Sequence, residues 1–128
     1  MRDLAPELVR GIVGEGADPE GVALAIEVMA AVPADTYRAA LAALMHFDRR
    51  DLLPRIRVPT LLLAGALDRE APPAVMQKMA ERIPGARYEC LPEAGHLACM
   101  EQPELFNEAV LPFLAAHFGP NAPSSVAS

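Results

Sequence analysis

An α/β fold with parallel strands is what this 128-residue sequence predicts, and three features carry the prediction. The run Val58-Pro59-Thr60-Leu61-Leu62-Leu63-Ala64-Gly65 is short, almost wholly apolar and closed by glycine, the pattern of a strand buried on both faces. A second strand pattern, Arg87-Tyr88-Glu89-Cys90-Leu91, follows, with a helical pattern between the two. A further helical pattern comes after it. Strand–helix–strand–helix is a piece of α/β architecture, and a right-handed crossover places both strand C-termini on one edge of the sheet.

Residues 1 to about 50 read as helices only. Leu4, Leu8, Val9, Ile12 and Val13 recur at helical spacing until Gly14-Glu15-Gly16 breaks the run. Asp18-Pro19 combines a capping residue with proline at the first helical position, opening a segment with Val22, Ile26 and Met29 on one face. Pro33 ends it. Asp35 is placed to cap a third helix with Tyr37, Leu41, Leu44 and Met45 on its apolar side. Pro59 then sits at the start of the first strand, where a missing N–H is tolerated. A helix from Pro72-Pro73 turns Val75, Met76, Met79 and Ile83 inward, and Pro84-Gly85 turns the chain into the second strand. The last helix runs from about Pro103 to His117 with Leu105, Phe106, Ala109, Val110, Phe113 and Leu114 at helical spacing. Pro112 removes one backbone donor within it and predicts a kink. Gly119 stops the helix, and the small, polar tail from Pro120 to Ser128 is expected to be disordered.

Apolar residues at 52% and charged residues at 22% fit a globular protein with room for one modest core. Aromatics make up 5% and Trp is absent, so aliphatic side chains and Met29, Met45, Met76, Met79 and Met100 are expected to fill that core. A net charge of -6 argues against nucleic acid or an anionic membrane as partner. The Arg49-Arg50 pair is flanked by Asp48 and Asp51. Cys90 and Cys99 lie in apolar stretches without metal spacing, which reads as a reduced, cytosolic pair. The N-terminus shows no signal pattern, and the apolar stretch Val22 to Val32 is interrupted by Glu27 and shorter than the roughly 20 residues of a span. A cytoplasmic protein is the expectation. His46, His96 and His117 are not spaced as metal ligands, so neither a metal nor a cofactor is expected. His117 suits a helix C-terminus, where a cation is favoured.

The shared strand edge is where open α/β sheets bind ligands. Each predicted strand is followed there by an ionisable residue in a turn: Asp68 in Gly65-Ala66-Leu67-Asp68, and His96 in Glu93-Ala94-Gly95-His96. A carboxylate that accepts the proton of one imidazole nitrogen sets the tautomer and supports the imidazolium formed when the other nitrogen takes a proton. Taken singly, Asp68 reads equally as a turn residue and His96 as a surface histidine. Together on one edge they are candidate catalytic residues.

These residues carry a resemblance. The run Val58 to Asp68, followed by Ala71-Pro72-Pro73, resembles the penultimate strand and acid turn of the α/β-hydrolase superfamily. Ala94-Gly95-His96-Leu97, then Glu101-Gln102-Pro103-Glu104 and Phe106, resembles its histidine loop and final helix. Acid before histidine is the family's chain order. The match covers roughly residues 47 to 118, with Phe47-Asp48-Arg49-Arg50-Asp51-Leu52-Leu53 similar to the link from a helical cap into the sheet. The resemblance implies a cap or lid segment over 1–50, the C-terminal part of an α/β-hydrolase core over 51–118, and a tail over 119–128. It implies that Asp68 orients and His96 acts as general base. Among subfamilies the run is most similar to 3-oxoadipate enol-lactonase-like enzymes, which implies a small ester or lactone substrate.

The family's nucleophile stands in a Gly-x-Ser-x-Gly turn upstream of acid and histidine, and this sequence contains none. Its serines are Ser124, Ser125 and Ser128, all beyond His96. Thr36 and Thr60 lack elbow glycines, Cys90 falls in a predicted strand, and Cys99 follows His96 without glycine context. The resemblance thus implies that the serine, the oxyanion hole and the first six strands lie outside this sequence. Two strands from such a sheet are expected to leave an open edge and two apolar faces, to be covered by the N-terminal helices, a second copy or a complementary N-terminal fragment. Ester hydrolysis by the chain alone is not expected. The alternative is a non-catalytic interaction module; an all-helical regulator built on residues 1–46 is weaker, since no basic recognition helix is present. Arg38 fits either a substrate carboxylate or a solvated helix face.

Overall fold

The computed structural model describes residues 1–119. Strands β1 (Leu61–Gly65) and β2 (Arg87–Leu91) pair in parallel, with Leu62 opposite Tyr88 and Gly65 opposite Leu91. The strand begins at Leu61 rather than Val58, which is 67% exposed. Pro59 has no N–H to contribute, so pairing starts just past it, where the Arg87 N–H donates to the Thr60 carbonyl at 2.9 Å.

Successive side chains of a strand point to opposite faces, so Leu62 and Leu63 belong to different clusters. Helix α4 (Pro73–Arg82) lies against one face, where Leu62, Ala80 and Ile83 are buried and Met76, Met79 and Tyr88 pack on them. Helix α6 (Pro103–Phe118) lies against the other, with Leu91, Ala94 and Ala109 buried and Leu63, Leu105 and Phe106 around them. Each face therefore carries one of the chain's own helices, α4 or α6, rather than the N-terminal helices, second copy or complementary fragment expected there, and Leu61 and Leu63 stay half-buried. Among the described residues only the outer strand edges lack a strand partner. Val75, expected inward, is 52% exposed because it lies one residue off the Met76, Met79 and Ile83 stripe. Leu114 is likewise exposed beside the buried Phe113. Helix α6 continues through Pro112 as one element.

The N-terminal part holds α1 (Ala5–Ile12), α2 (Pro19–Ala31) and α3 (Ala34–Met45). Asp18 caps α2 as its sequence predicts, accepting the Gly21 N–H at 2.7 Å, an arrangement that contributes about 1 kcal/mol. Helix α2 packs on α1 and on α5 (Ala98–Glu101), a single turn that no apolar periodicity announced. Pro33, not Asp35, precedes the first residue of α3. Asp35 instead pairs with Arg38 at 3.0 Å in open solvent, which places Arg38 on a solvated helix face. Helix α3 buries no residue, and Met45 is 84% exposed rather than core. A 3₁₀ segment, Arg50–Arg55, then brings Leu53 onto the α4 cluster.

Cys90 and Cys99 are free and exposed rather than enclosed by apolar neighbours. No helix among the described residues is long and apolar enough to cross a membrane. The expected tail beyond Gly119 lies outside the described residues.

Candidate active site

The turn after β1 and the loop after β2 are held together by backbone hydrogen bonds. The N–H of Ala66 donates to the Leu91 carbonyl and that of Leu67 to the Ala94 carbonyl, each at 2.9 Å. A Cβ at Gly65 would collide with the carbonyls of Ala94 and Gly95, so glycine is what lets the two segments meet.

That contact sets Asp68 beside His96. Asp68 is buried, and its Oδ1 accepts the N–H groups of Glu70 at 2.8 Å and Ala71 at 3.0 Å. Both bonds fix the carboxylate plane and leave Oδ2 for Nδ1 of His96, 3.0 Å away. Burial alone pushes the Asp68 carboxyl upward. The Ala71 N–H, the His96 ring and the Glu70 N–H outweigh it and hold the group below its ordinary 3.8. An ionised Asp68 at neutral pH places the ring proton on Nδ1 and leaves the Nε2 lone pair available. The His96 side chain is 40% exposed, so the ring can be reached from outside.

The backbone around His96 is also held. The His96 N–H donates to the Ile12 carbonyl at 2.8 Å. Gly95 lies so close to α1's end that an added Cβ would meet the Ile12 oxygen at 2.6 Å and the Gly14 nitrogen at 2.8 Å. Glu93 adopts φ 60°, a left-handed conformation uncommon for a residue with a Cβ. Glu101, only 1% exposed, accepts the N–H of Gly14 at 2.7 Å and of Gly95 at 2.8 Å on Oε2, and of Leu97 at 2.8 Å on Oε1. Nothing in the residue pattern marked Glu101 as more than part of a motif. Its one local signal is a lone carboxylate between Leu97-Ala98-Cys99-Met100 and Pro103.

A cavity of about 640 Å³ adjoins Asp68, bordered by Arg10, Ile12, Val13, Leu67 and Arg69. Among the described residues none of the other candidates hydrogen-bonds to this pair. Cys99 sits exposed on α5, and His46 follows α3 in solvent. His117 stands in the last turn of α6 against Phe113, the ring centres 4.6 Å apart. Among the described residues no group of three or more His, Cys, Asp or Glu is arranged to hold a metal ion.

The family model described as "Alpha/beta hydrolase family" matches residues 2–109. The 3-oxoadipate enol-lactonase 2 of Acinetobacter baylyi is 40% identical over 77 residues, covering 60% of this chain and 28% of that protein. Among solved structures, a thermophilic esterase from Thermogutta terrifontis superposes with a TM-score of 0.77 at 34% identity, over 88% of this chain and 43% of its own. The enol-lactonase from Burkholderia xenovorans LB400 gives a TM-score of 0.80 at 29% identity, over 89% and 45% respectively. The chain spans less than half the length of each of these relatives.

Proposed function

The chain belongs to the alpha/beta hydrolase family, and from that premise we propose that it supplies the acid and the base for hydrolysis of a small carboxylic ester or lactone. One observation carries this reading: Asp68 Oδ2 lies 3.0 Å from His96 Nδ1 beyond the C-terminal ends of two adjacent parallel strands. In the proposed reaction His96 Nε2 takes the proton of a serine hydroxyl as its oxygen attacks the ester carbonyl. The imidazolium, supported by Asp68, returns that proton to the leaving alkoxide when the tetrahedral intermediate collapses. Water then repeats the two steps on the acyl-serine, regenerating the hydroxyl and releasing the acid. Residues 1–50 act as the lid over this site, and residues 51–118 as part of the core that carries it. An esterase and enol-lactonases among the similar proteins support the ester or lactone class.

The serine and the oxyanion hole come from outside this sequence, since it holds no Gly-x-Ser-x-Gly segment. Removing a triad nucleophile abolishes most of the rate acceleration. The chain by itself is therefore expected to leave a serine-directed fluorophosphonate probe unreacted and to show no esterase activity. Mixing it with the N-terminal half of a related hydrolase tests the proposal. Ester hydrolysis should appear and should fall by about 10⁴-fold with Asp68→Asn, and at least as far with His96→Ala. Hydrolysis that ignores both substitutions sinks it. The missing nucleophile also favours a second reading, a non-catalytic module that binds a partner through the open edge of the sheet. Tight association with the N-terminal half without hydrolysis is its signature.

A further inference from the structure

Two buried carboxylates bracket His96, and only one of them touches its ring. Asp68 holds the imidazole, whereas Glu101 holds the peptide on both sides of the same residue, through the N–H groups of Gly95 and Leu97. With the His96 N–H given to the Ile12 carbonyl, three consecutive amides each have a defined acceptor. The oxygen of Glu101 that accepts from Gly95 also accepts from Gly14, 87 residues away in sequence.

We propose that Glu101 is the positioning residue of the histidine loop: it holds His96 on Asp68 and fastens the α1–α2 connection to the same loop. This rests on the reading of His96 as the base. A carboxylate this far from water, with no cation paired to it among the described residues, requires strong hydrogen bonds in place of its lost solvation. Three backbone donors supply them, and a carboxylate is the side-chain group that accepts three at once with two oxygens. Because one of those donors belongs to Gly14 and two flank His96, a displacement of the α1–α2 connection is passed to the imidazole. The position of the N-terminal helices and the aim of the base thus become one variable.

Nuclear magnetic resonance of the full chain tests this without needing catalysis. In the unsubstituted protein the amides of Gly14, Gly95 and Leu97 should exchange slowly with solvent, and the His96 ring nitrogens should report a proton on Nδ1. In Glu101→Gln one accepting oxygen becomes a donor, so exchange at those amides should quicken by roughly ten- to hundredfold, and the ring should show a mixture of tautomers. Ile83→Val, which loosens the α4 cluster instead, should leave the tautomer unchanged. A Glu101→Gln protein that keeps both the protection and the Nδ1 proton overturns the proposal. So does fast exchange of Gly95 and Leu97 in the unsubstituted protein, a result that counts even where the variant fails to fold. Asp68→Asn separates the two readings. If it leaves the tautomer unchanged while Glu101→Gln alters the amides, the dyad reading fails and, of the proposal, only the tie between Gly14 and the histidine loop stands.

Discussion

Helices α1 and α2 differ from α3 in how they are attached, although all three are apolar and follow one another in sequence. Ala5, Val9 and Ala25 are buried, Ile12 accepts the His96 N–H, and Gly14 shares a carboxylate oxygen with Gly95. Asp18 also gives its N–H to the Glu101 carbonyl at 2.9 Å. Helix α3 has no buried residue, and Leu41, Leu44 and Met45 on it and Phe47 just past it are exposed. Among the described residues its one side-chain hydrogen bond, Arg38 to Asp35, closes on itself in solvent. Apolar periodicity makes a helix in both places. Helices α1 and α2 are in addition joined to the body of the protein by backbone polar groups that other elements claim, and such a bond has a direction that hydrophobic contact lacks.

That contrast can be broken at several points. The largest effect should come from Gly95→Ala, whose methyl group meets the Ile12 oxygen and Gly14 nitrogen. Denaturant titration should show a loss of about 2–3 kcal/mol, and an unchanged midpoint would mean that α1 is not held where we describe it. Val9→Ala removes two methyl groups from a fully buried site on α1 and should cost about 2 kcal/mol by the same measurement.

Acid should loosen the same junction. Folded Asp68 binds its proton less readily than unfolded Asp68, so the unfolded state takes up more protons as pH falls. The stability contributed by Asp68 is complete above the ordinary value of 3.8 and is lost as pH drops from there through the lowered one. Stability measured against pH should therefore fall in that window for the unsubstituted protein relative to Asp68→Asn. Parallel curves would remove Asp68 from the account. The smallest effects belong to α3: Leu44→Ser and Met45→Ser should change stability by no more than about 0.5 kcal/mol. A loss above about 1 kcal/mol would show that α3 is packed after all and close the contrast between the two regions.

Much of this was legible in the residues. The end of β1 at Gly65, the bounds of β2 and the Asp18 cap of α2 follow from local chemistry: glycine as a stop, the Pro84-Gly85 turn ahead of a short strand pattern, a side-chain oxygen before proline. Asp68 and His96 stand out because each is an ionisable residue in a turn after a strand, on the same sheet edge. What stayed hidden depends on partners distant in sequence. A single turn such as α5 has no periodicity to detect. The exposure of Met45 and Cys90 reflects which surfaces other elements reach, and an apolar residue carries no record of that.

By itself the sequence determined the order and type of the longer helices and both strands, the parallel pairing and the two ionisable residues on one edge, since each rests on spacing along the chain. Only the tertiary structure decided that Oδ2 of Asp68 reaches Nδ1 of His96, and that Glu101 joins Gly14 to the histidine loop. Direction is the physical reason. Spacing says which face a side chain occupies, but a hydrogen bond between residues far apart in sequence forms only when the packing of α1 and α5 and the strand ends brings donor and acceptor within about 3 Å at a favourable angle.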